Sequence, residues 1–298
     1  MALLPTHTRV EVPVTVIHAA EPGPRIWLSA ALHGDEINGV EIIRRVLGKL
    51  EDKVLRGTVV AVPIVNVFGF MGQSRYLPDR RDLNRSFPGS PRGSLASRMA
   101  NFFMQEVVSR CTHGIDLHTG SSDRFNFPQI RGDLSDPETL RCARAFGAPV
   151  ILQSTLRDGS LRFAAAKRRI PVIVYEAGEA SRFDEASIRL GVKGVLGVLR
   201  ELGLLARRNA RPVRIVRIDD SSWVRARRAG VLRLTAKEGD AIKRGQVLGI
   251  IADPLGMDGV SVVAPFDGII VGLTRNPIVH GGDAVVHVGR TKEQLPEI

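Results

Sequence analysis

Aromatic residues make up only 5% of this 298-residue chain, cysteine occurs twice, and lysine seven times against thirty-five arginines. Each scarcity excludes something. Two Trp and two Tyr offer little surface for stacking bases, and no basic helix concentrates the charge, so nucleic acid is not expected as a partner. Cys111 and Cys142 form neither a Cys-x-x-Cys pair nor a disulfide framework, which suits a reducing compartment. No apolar run approaches a membrane span, and MALLPTHTRVEVPV lacks the basic stretch and apolar core of a secretory signal. The expected location is the cytoplasm, without a membrane partner. Self-association into a homo-oligomer stays open.

An apolar content of 44%, with 30 Gly and 17 Pro and no low-complexity tract, is that of a globular protein. The net charge of +11 points to an anionic partner. An electropositive pocket for a small carboxylate-bearing molecule needs only a few of the arginines, and the rest read as solvated surface. Between residues 10 and about 205, β-rich runs alternate with amphipathic stretches, the pattern of a sheet flanked by helices. Ile26–Leu32, Thr58–Val65, Gly114–Leu117, Val150–Gln153 and Val172–Tyr175 read as strands. Val40–Leu50, Ser94–Ser109, Pro137–Phe146 and Ser187–Leu205 read as helices. Residues 66–93 lack any period, and so long a loop is more often functional than structural. The charged, Pro-bearing segment Ala206–Arg214 reads as a domain boundary. Beyond it come short strands punctuated by Gly and Asp. We therefore expect an α/β domain over 1–208 and a small all-β sandwich or barrel over 209–298.

Three apolar runs end on polar residues: His33 with Glu36, then His118, then Glu176. In an open α/β sheet the carboxyl ends of strands line one crevice, so these residues can meet although far apart in sequence. Two imidazoles and a carboxylate suit zinc, leaving a fourth position for water. The plainer reading puts Glu36 in a first helical turn, favoured by the helix dipole, with His33 exposed; Asp35 is the weaker ligand. Alternation in GIDLHTG places Asp116 on the face of His118, where a carboxylate can orient a ligating ring. Glu176, in VIVYEAGE, follows a buried run and can take a proton from an activated water; Glu179 is its rival. In the long loop, Asn84 and Arg85 can grip a carboxylate, and Arg75 can hold an oxyanion, although loop arginines are mostly surface residues. His7, His18, His113, His280 and His287 read as structural or surface.

Taken together, LHGDE, RRDLNRSFPG, DLHTG and YEAG resemble the succinylglutamate desuccinylase and aspartoacylase family, relatives of zinc carboxypeptidases. The likeness spans roughly residues 10–205, in the family's order. It implies a carboxypeptidase-like α/β/α fold with a mixed sheet, one zinc on His33, Glu36 and His118, and Glu176 as general base. It further implies that Asn84 and Arg85 bind a substrate carboxylate and that Arg75 assists at the carbonyl. Arg162, in GSLR, matches another substrate-binding arginine, although the intervening length differs. The segments AKEGDAIKRGQVLGII and VVAPFDGIIVGL look like a biotinyl/lipoyl-type barrel-sandwich domain. Where a carrier would present a modifiable Lys, this chain has ADPLGMDG, so no swinging cofactor is expected.

The expectation is a zinc-dependent hydrolase of the amide bond in a small N-acylated amino acid or related compound. A carboxypeptidase acting on peptides would share every metal residue. A non-catalytic, metal-stabilised binding protein would need the metal but not Glu176.

Overall fold

The chain enters its main sheet through strands β1 (Thr15–His18) and β2 (Glu21–Ala30). The structure is a computed structural model that describes residues 7, 9–50, 53–207 and 214–291. The expected boundary at 208/209, most of the segment Ala206–Arg214, and residues 1–6 of the N-terminus lie outside these residues.

Helix α1 (Asn38–Leu50) forms where apolar residues recur at helical spacing, and it buries Ile42, Ile43, Val46 and Leu50. Strand β3 (Arg56–Val62) stops before Pro63, whose missing N–H cannot extend the ladder. The aperiodic stretch that follows holds a short helix α2 (Val67–Met71) and a single 3-10 turn at Leu83–Arg85. Helix α3 (Leu95–Glu106) is capped by Ser94, whose side chain accepts from the Ser97 N–H.

Strands β4 (His113–Gly120) and β5 (Arg124–Gly132) lead to helix α4 (Pro137–Phe146), with Asp136 as N-cap and Gly147 left-handed beyond its end. Strand β6 (Val150–Gln153), helix α5 (Leu161–Ala166), strand β7 (Val172–Glu179) and helix α6 (Glu185–Glu201) complete the alternating region. Strands β1 and β5 and helix α5 lie where the sequence reading assigned no element. Strands β4 and β7 run past the apolar runs that marked them, so His118 and Glu176 are strand residues.

Parallel pairing joins β3, β2, β4 and β7, whereas β1 and β5 flank them antiparallel. Alternation along β2 divides its side chains between two cores. Ile26, Leu28 and Ala30 pack with α1, α4 and α6, while Trp27 packs with α3 and α5 on the other face. This is an α/β/α arrangement around a mixed sheet. Each fully buried aliphatic chain contributes about 1.5–3 kcal/mol, so Ile43→Ala would cost about 2–5 kcal/mol.

Beyond residue 213 all described regular elements are strands: β8 (Val216–Ile218), β9 (Ser221–Arg225), β10 (Gly230–Leu234), β11 (Ala241–Ile242), β12 (Val247–Ala252), β13 (Val260–Val263), β14 (Gly268–Thr274), β15 (Ile278–Val279) and β16 (Ala284–Arg290). Strands β13, β12, β10 and β15 form a separate four-stranded sheet. The main sheet itself continues from β5 into β14, β16 and β9, and β6 pairs with β8. Leu232, Leu248 and Ile251 of the small sheet share a core with Ile270, Val286 and Val288 of this extension. Among the described residues, no helix is long and apolar enough to cross a membrane.

Candidate active site

Ala30, Leu117 and Tyr175 lie near the carboxyl ends of three neighbouring parallel strands, and the chemistry-bearing residues cluster just beyond them. His33 and Glu36 lie in the loop between β2 and α1, not in the helix. A turn in which the Glu36 N–H donates to the His33 carbonyl brings their side chains together. The loop packs so tightly on α2 that a Cβ on Gly34 would sit about 2 Å from the Gly69–Phe70 peptide, so only glycine fits there. His118 comes from β4, with Glu176 beside it in register on β7.

The Nδ1 atoms of His33 and His118 lie 2.8 Å from Oε1 and Oε2 of Glu36, respectively. The opposite ring nitrogens face two further acids. His118 Nε2 is 2.8 Å from Asp116, which also accepts from the Ser29 hydroxyl at 2.7 Å; His33 Nε2 is 3.2 Å from Asp82. All three members are at most 5% exposed, and one donor atom from each lies within 4.8 Å of the others. Burial opposes charge on both rings, yet the surrounding carboxylates prevail and raise both imidazole pKa values, His118 strongly. Burial likewise favours a neutral Glu36, but the two histidines hold its carboxyl well below the usual range. The arrangement therefore favours a positive charge among the three side chains. Its donors, and the acids behind each ring, fit a divalent ion of zinc's preferences.

The cluster opens into a cleft of about 710 Å³ that contains Glu176 but not Glu179. Glu176 accepts from Asn126 Nδ2 at 2.8 Å, and Arg131 Nη1 lies 3.8 Å from its other oxygen. Arg75 turns its fork onto Asp82 and reaches Glu36 at 3.3 Å. Asn84 lines the cleft, its side-chain oxygen accepting the Leu161 N–H at 3.0 Å, which leaves the amide as donor. The carbonyl of Gly159 accepts from the Phe87 N–H, so the two loops close together and bring Arg85 and Arg162 into one wall. Arg162 is bonded through Nη2 to Ser154 and Thr155, while its buried Nη1 has no partner. Burial and the neighbouring Arg131 lower its pKa to about 10.

The structure thus brings every expected site residue to one cleft. Asp35 stays outside the three-residue group, with one carboxylate oxygen buried and unpartnered. Several residues in and around the cleft were not anticipated. Asp82, behind His33 and outside the cleft lining, lies in RRDLNRSFPG with no histidine nearby in sequence to mark its role. Asn126 and Arg131 lie five residues apart on β5, and a register shift between Asn126 and Gln129 brings both to the cleft, which no alternation rule reveals. Trp223 arrives from β9, stacked on His287 at 4.7 Å and overlain by Arg124. A larger hollow of about 1170 Å³ outside α1 and α6 gathers arginines and lysines, but no residue of the cluster.

Residues 22–202 match the succinylglutamate desuccinylase/aspartoacylase catalytic domain. The chain is 28% identical to an N-alpha-acetyl-L-2,4-diaminobutyric acid deacetylase of Halomonas elongata, covering 96% of this chain and 87% of that protein. A crystal structure of a succinylglutamate desuccinylase/aspartoacylase from Rhodobacter sphaeroides superposes with a TM-score of 0.85 at 28% identity, over 96% of this chain and 90% of the other. The product-bound ectoine utilization protein EutE of Ruegeria pomeroyi shares the fold, with a TM-score of 0.85 at 24% identity and coverage of 95% and 90%. By the extent of the matched domain, the chain belongs to the succinylglutamate desuccinylase/aspartoacylase family.

Proposed function

We propose that the protein is a zinc-dependent amidohydrolase that removes the acyl group from the nitrogen of an N-acylated amino acid or a closely related compound. The observation that carries this reading is the buried His33–Glu36–His118 group opening onto the same cleft as Glu176. One ion per chain would be held by these three side chains, with Asp116 and Asp82 orienting the rings. Bound there, zinc supplies a Lewis acid that polarises the amide carbonyl and brings the pKa of a water near 7.

Glu176 takes the proton from the attacking water as the new carbon–oxygen bond forms, and returns it to the nitrogen as the carbon–nitrogen bond breaks. Arg75, fixed by Asp82, stands beside Glu36 where negative charge would grow on the carbonyl oxygen. Arg85 and the Asn84 amide grip the substrate carboxylate, and the unpartnered Nη1 of Arg162 offers a further donor. The deacetylase from Halomonas elongata supports an acylated amino acid as the substrate class. The paired sheets and shared core beyond residue 213 support a barrel-sandwich of the biotinyl/lipoyl type over 209–298, joined to a catalytic domain over 1–208. Two free, buried cysteines support a reducing, cytoplasmic setting.

The test is a panel of N-acetyl and N-succinyl amino acids, including N-acetyl-L-2,4-diaminobutyrate, with zinc-loaded and chelator-stripped protein. Turnover is expected only with metal, and Glu176→Gln should lower kcat by about two to four orders of magnitude. Activity surviving complete metal removal would overturn the mechanism. Cleavage of peptides but not of N-acyl amino acids would make the protein a carboxypeptidase. Metal binding with no turnover of any substrate in wild type or Glu176→Gln would make it a binding protein.

A further inference from the structure

Glu176 reaches into the cleft from β7, and a base that shuttles a proton must present one oxygen consistently to the reacting atoms. Its Oε2 is bonded by Asn126 Nδ2 at 2.8 Å, and Asn126 is only 6% exposed. A carboxylate can only accept, so it must be the amide NH₂ of Asn126 that faces it. That bond engages Oε2, and Oε1, with Arg131 Nη1 3.8 Å away, is left without a hydrogen bond. Asn126 is itself backed by another part of the chain, since its register partner on β14 is Gly272. A Cβ at residue 272 would stand 3.0 Å from Asn126 Oδ1, closer than such contacts usually come. The position of Asn126 thus depends on a strand of the C-terminal region.

We propose that Asn126 is a positioning residue for Glu176, and that β14, through the space left at Gly272, sets Asn126. The inference rests on the reading of Glu176 as the base, and it gives the C-terminal β region a role in the reaction beyond walling the cleft. A hydrogen bond to a charged group is among the stronger kind, so its loss should be visible in kcat while substrate contacts stay intact.

The experiment compares Asn126→Ala, Asn126→Asp, Gly272→Ala and the control Gly48→Ala, whose site has open space around it. Steady-state kinetics use the N-acyl amino acid turned over best in the panel above, with metal content and Tm measured alongside. Asn126→Ala should lower kcat about tenfold and Asn126→Asp, which keeps the shape but sets two acids together, about a hundredfold. KM should stay within about twofold in both, and metal content should not change. Gly272→Ala should lower kcat about threefold, and Gly48→Ala not at all. A side chain that only filled space would show the opposite order, with alanine worse than aspartate, and that order would overturn the proposal. A crystal structure of Asn126→Ala supplies a readout without substrate: Glu176 should adopt more than one orientation, and a single unchanged orientation would overturn the proposal. If Glu176→Gln is inactive while Asn126→Asp matches wild type, only this inference fails. If Glu176→Gln is fully active, the base assignment fails with it.

Discussion

Strand β4 carries a histidine cluster at each end. At its carboxyl end His118 meets Glu36 and His33; at its start His113 meets Glu138 and Cys142, again with donor atoms within 4.8 Å. By donor type either set can bind a metal, and the difference lies in the surrounding charge. Around His118 and His33 stand three acids, Glu36, Asp116 and Asp82, with Arg75 the only guanidinium bonded to them among the described residues. At the other end Arg141 clamps both oxygens of Glu138 and also reaches Glu201, so the carboxylate is already neutralised. Burial pushes the Cys142 thiol up to about 12, with the Glu138 charge adding to the shift, so the thiolate is disfavoured there. A list of ligand-type residues is therefore insufficient to identify a metal site; uncompensated buried negative charge separates the two.

Metal counting breaks or confirms that comparison with the largest expected effect. The protein should hold one zinc per chain. His118→Ala should lose it and lower activity about a thousandfold or more, whereas Cys142→Ser should keep one ion and nearly full activity. Elemental analysis of the two purified variants decides the matter, and a count that falls in Cys142→Ser instead would reverse the assignment. A smaller effect should follow from Asp116→Asn, which leaves all three ligands in place but weakens the acid behind His118. Metal affinity should drop about 10–100-fold, measured by competition with a chromophoric chelator.

The two ends also differ in what their arginines lack. Arg141 is paired with Glu138 and Glu201, while Arg162 has a buried Nη1 with no partner. If that atom awaits a substrate carboxylate, Arg162→Ala should raise KM about tenfold or more with a lesser change in kcat. Arg162→Lys should not restore it, because an ammonium cannot reproduce the planar fork. A KM unchanged in both variants would remove Arg162 from the binding site.

The grouping of His33, Glu36 and His118 was legible because His33 and His118 follow apolar runs, and runs of that kind become neighbouring parallel strands. Helices α1, α3 and α4 were legible for local reasons: apolar spacing, Ser94 and Asp136 as caps, and Gly147 beyond the end of α4. Strand β5 escaped notice since RFNFPQIRG contains a proline and its register shifts within it. The continuation of the sheet from β5 into β14 depends on pairing across more than a hundred residues, which no local pattern encodes. His113 read as structural without companions, yet Glu138 lies 2.8 Å away, on a helix that folds back against the start of β4. Trp223 and Asn126 were likewise hidden, because their place in the cleft follows from tertiary pairing and not from spacing.

The smallest expected effect tests whether the cluster at the start of β4 is structural. The Arg141 hydrogen bonds hold the Glu138 carboxyl down at about 2, against burial and with help from His113. A carboxyl whose folded pKa is depressed adds stability above its ordinary value of 4.5, and that stability is lost as pH falls from there through about 2. Both partners are more than a third exposed to solvent, so screening limits the pair to about 0.2–1 kcal/mol. For a chain of this size that amounts to about 0.3–2 °C in Tm. Calorimetry should show wild type above Glu138→Gln by that margin at pH 6, with the gap narrowing by pH 3 and closing only below about pH 2. Addition of zinc at pH 6 should leave the gap unchanged, because the cation that this carboxylate needs is already present as Arg141. A gap that widened with zinc would mean that the second cluster binds the ion after all, and the charge argument separating the two ends of β4 would fail.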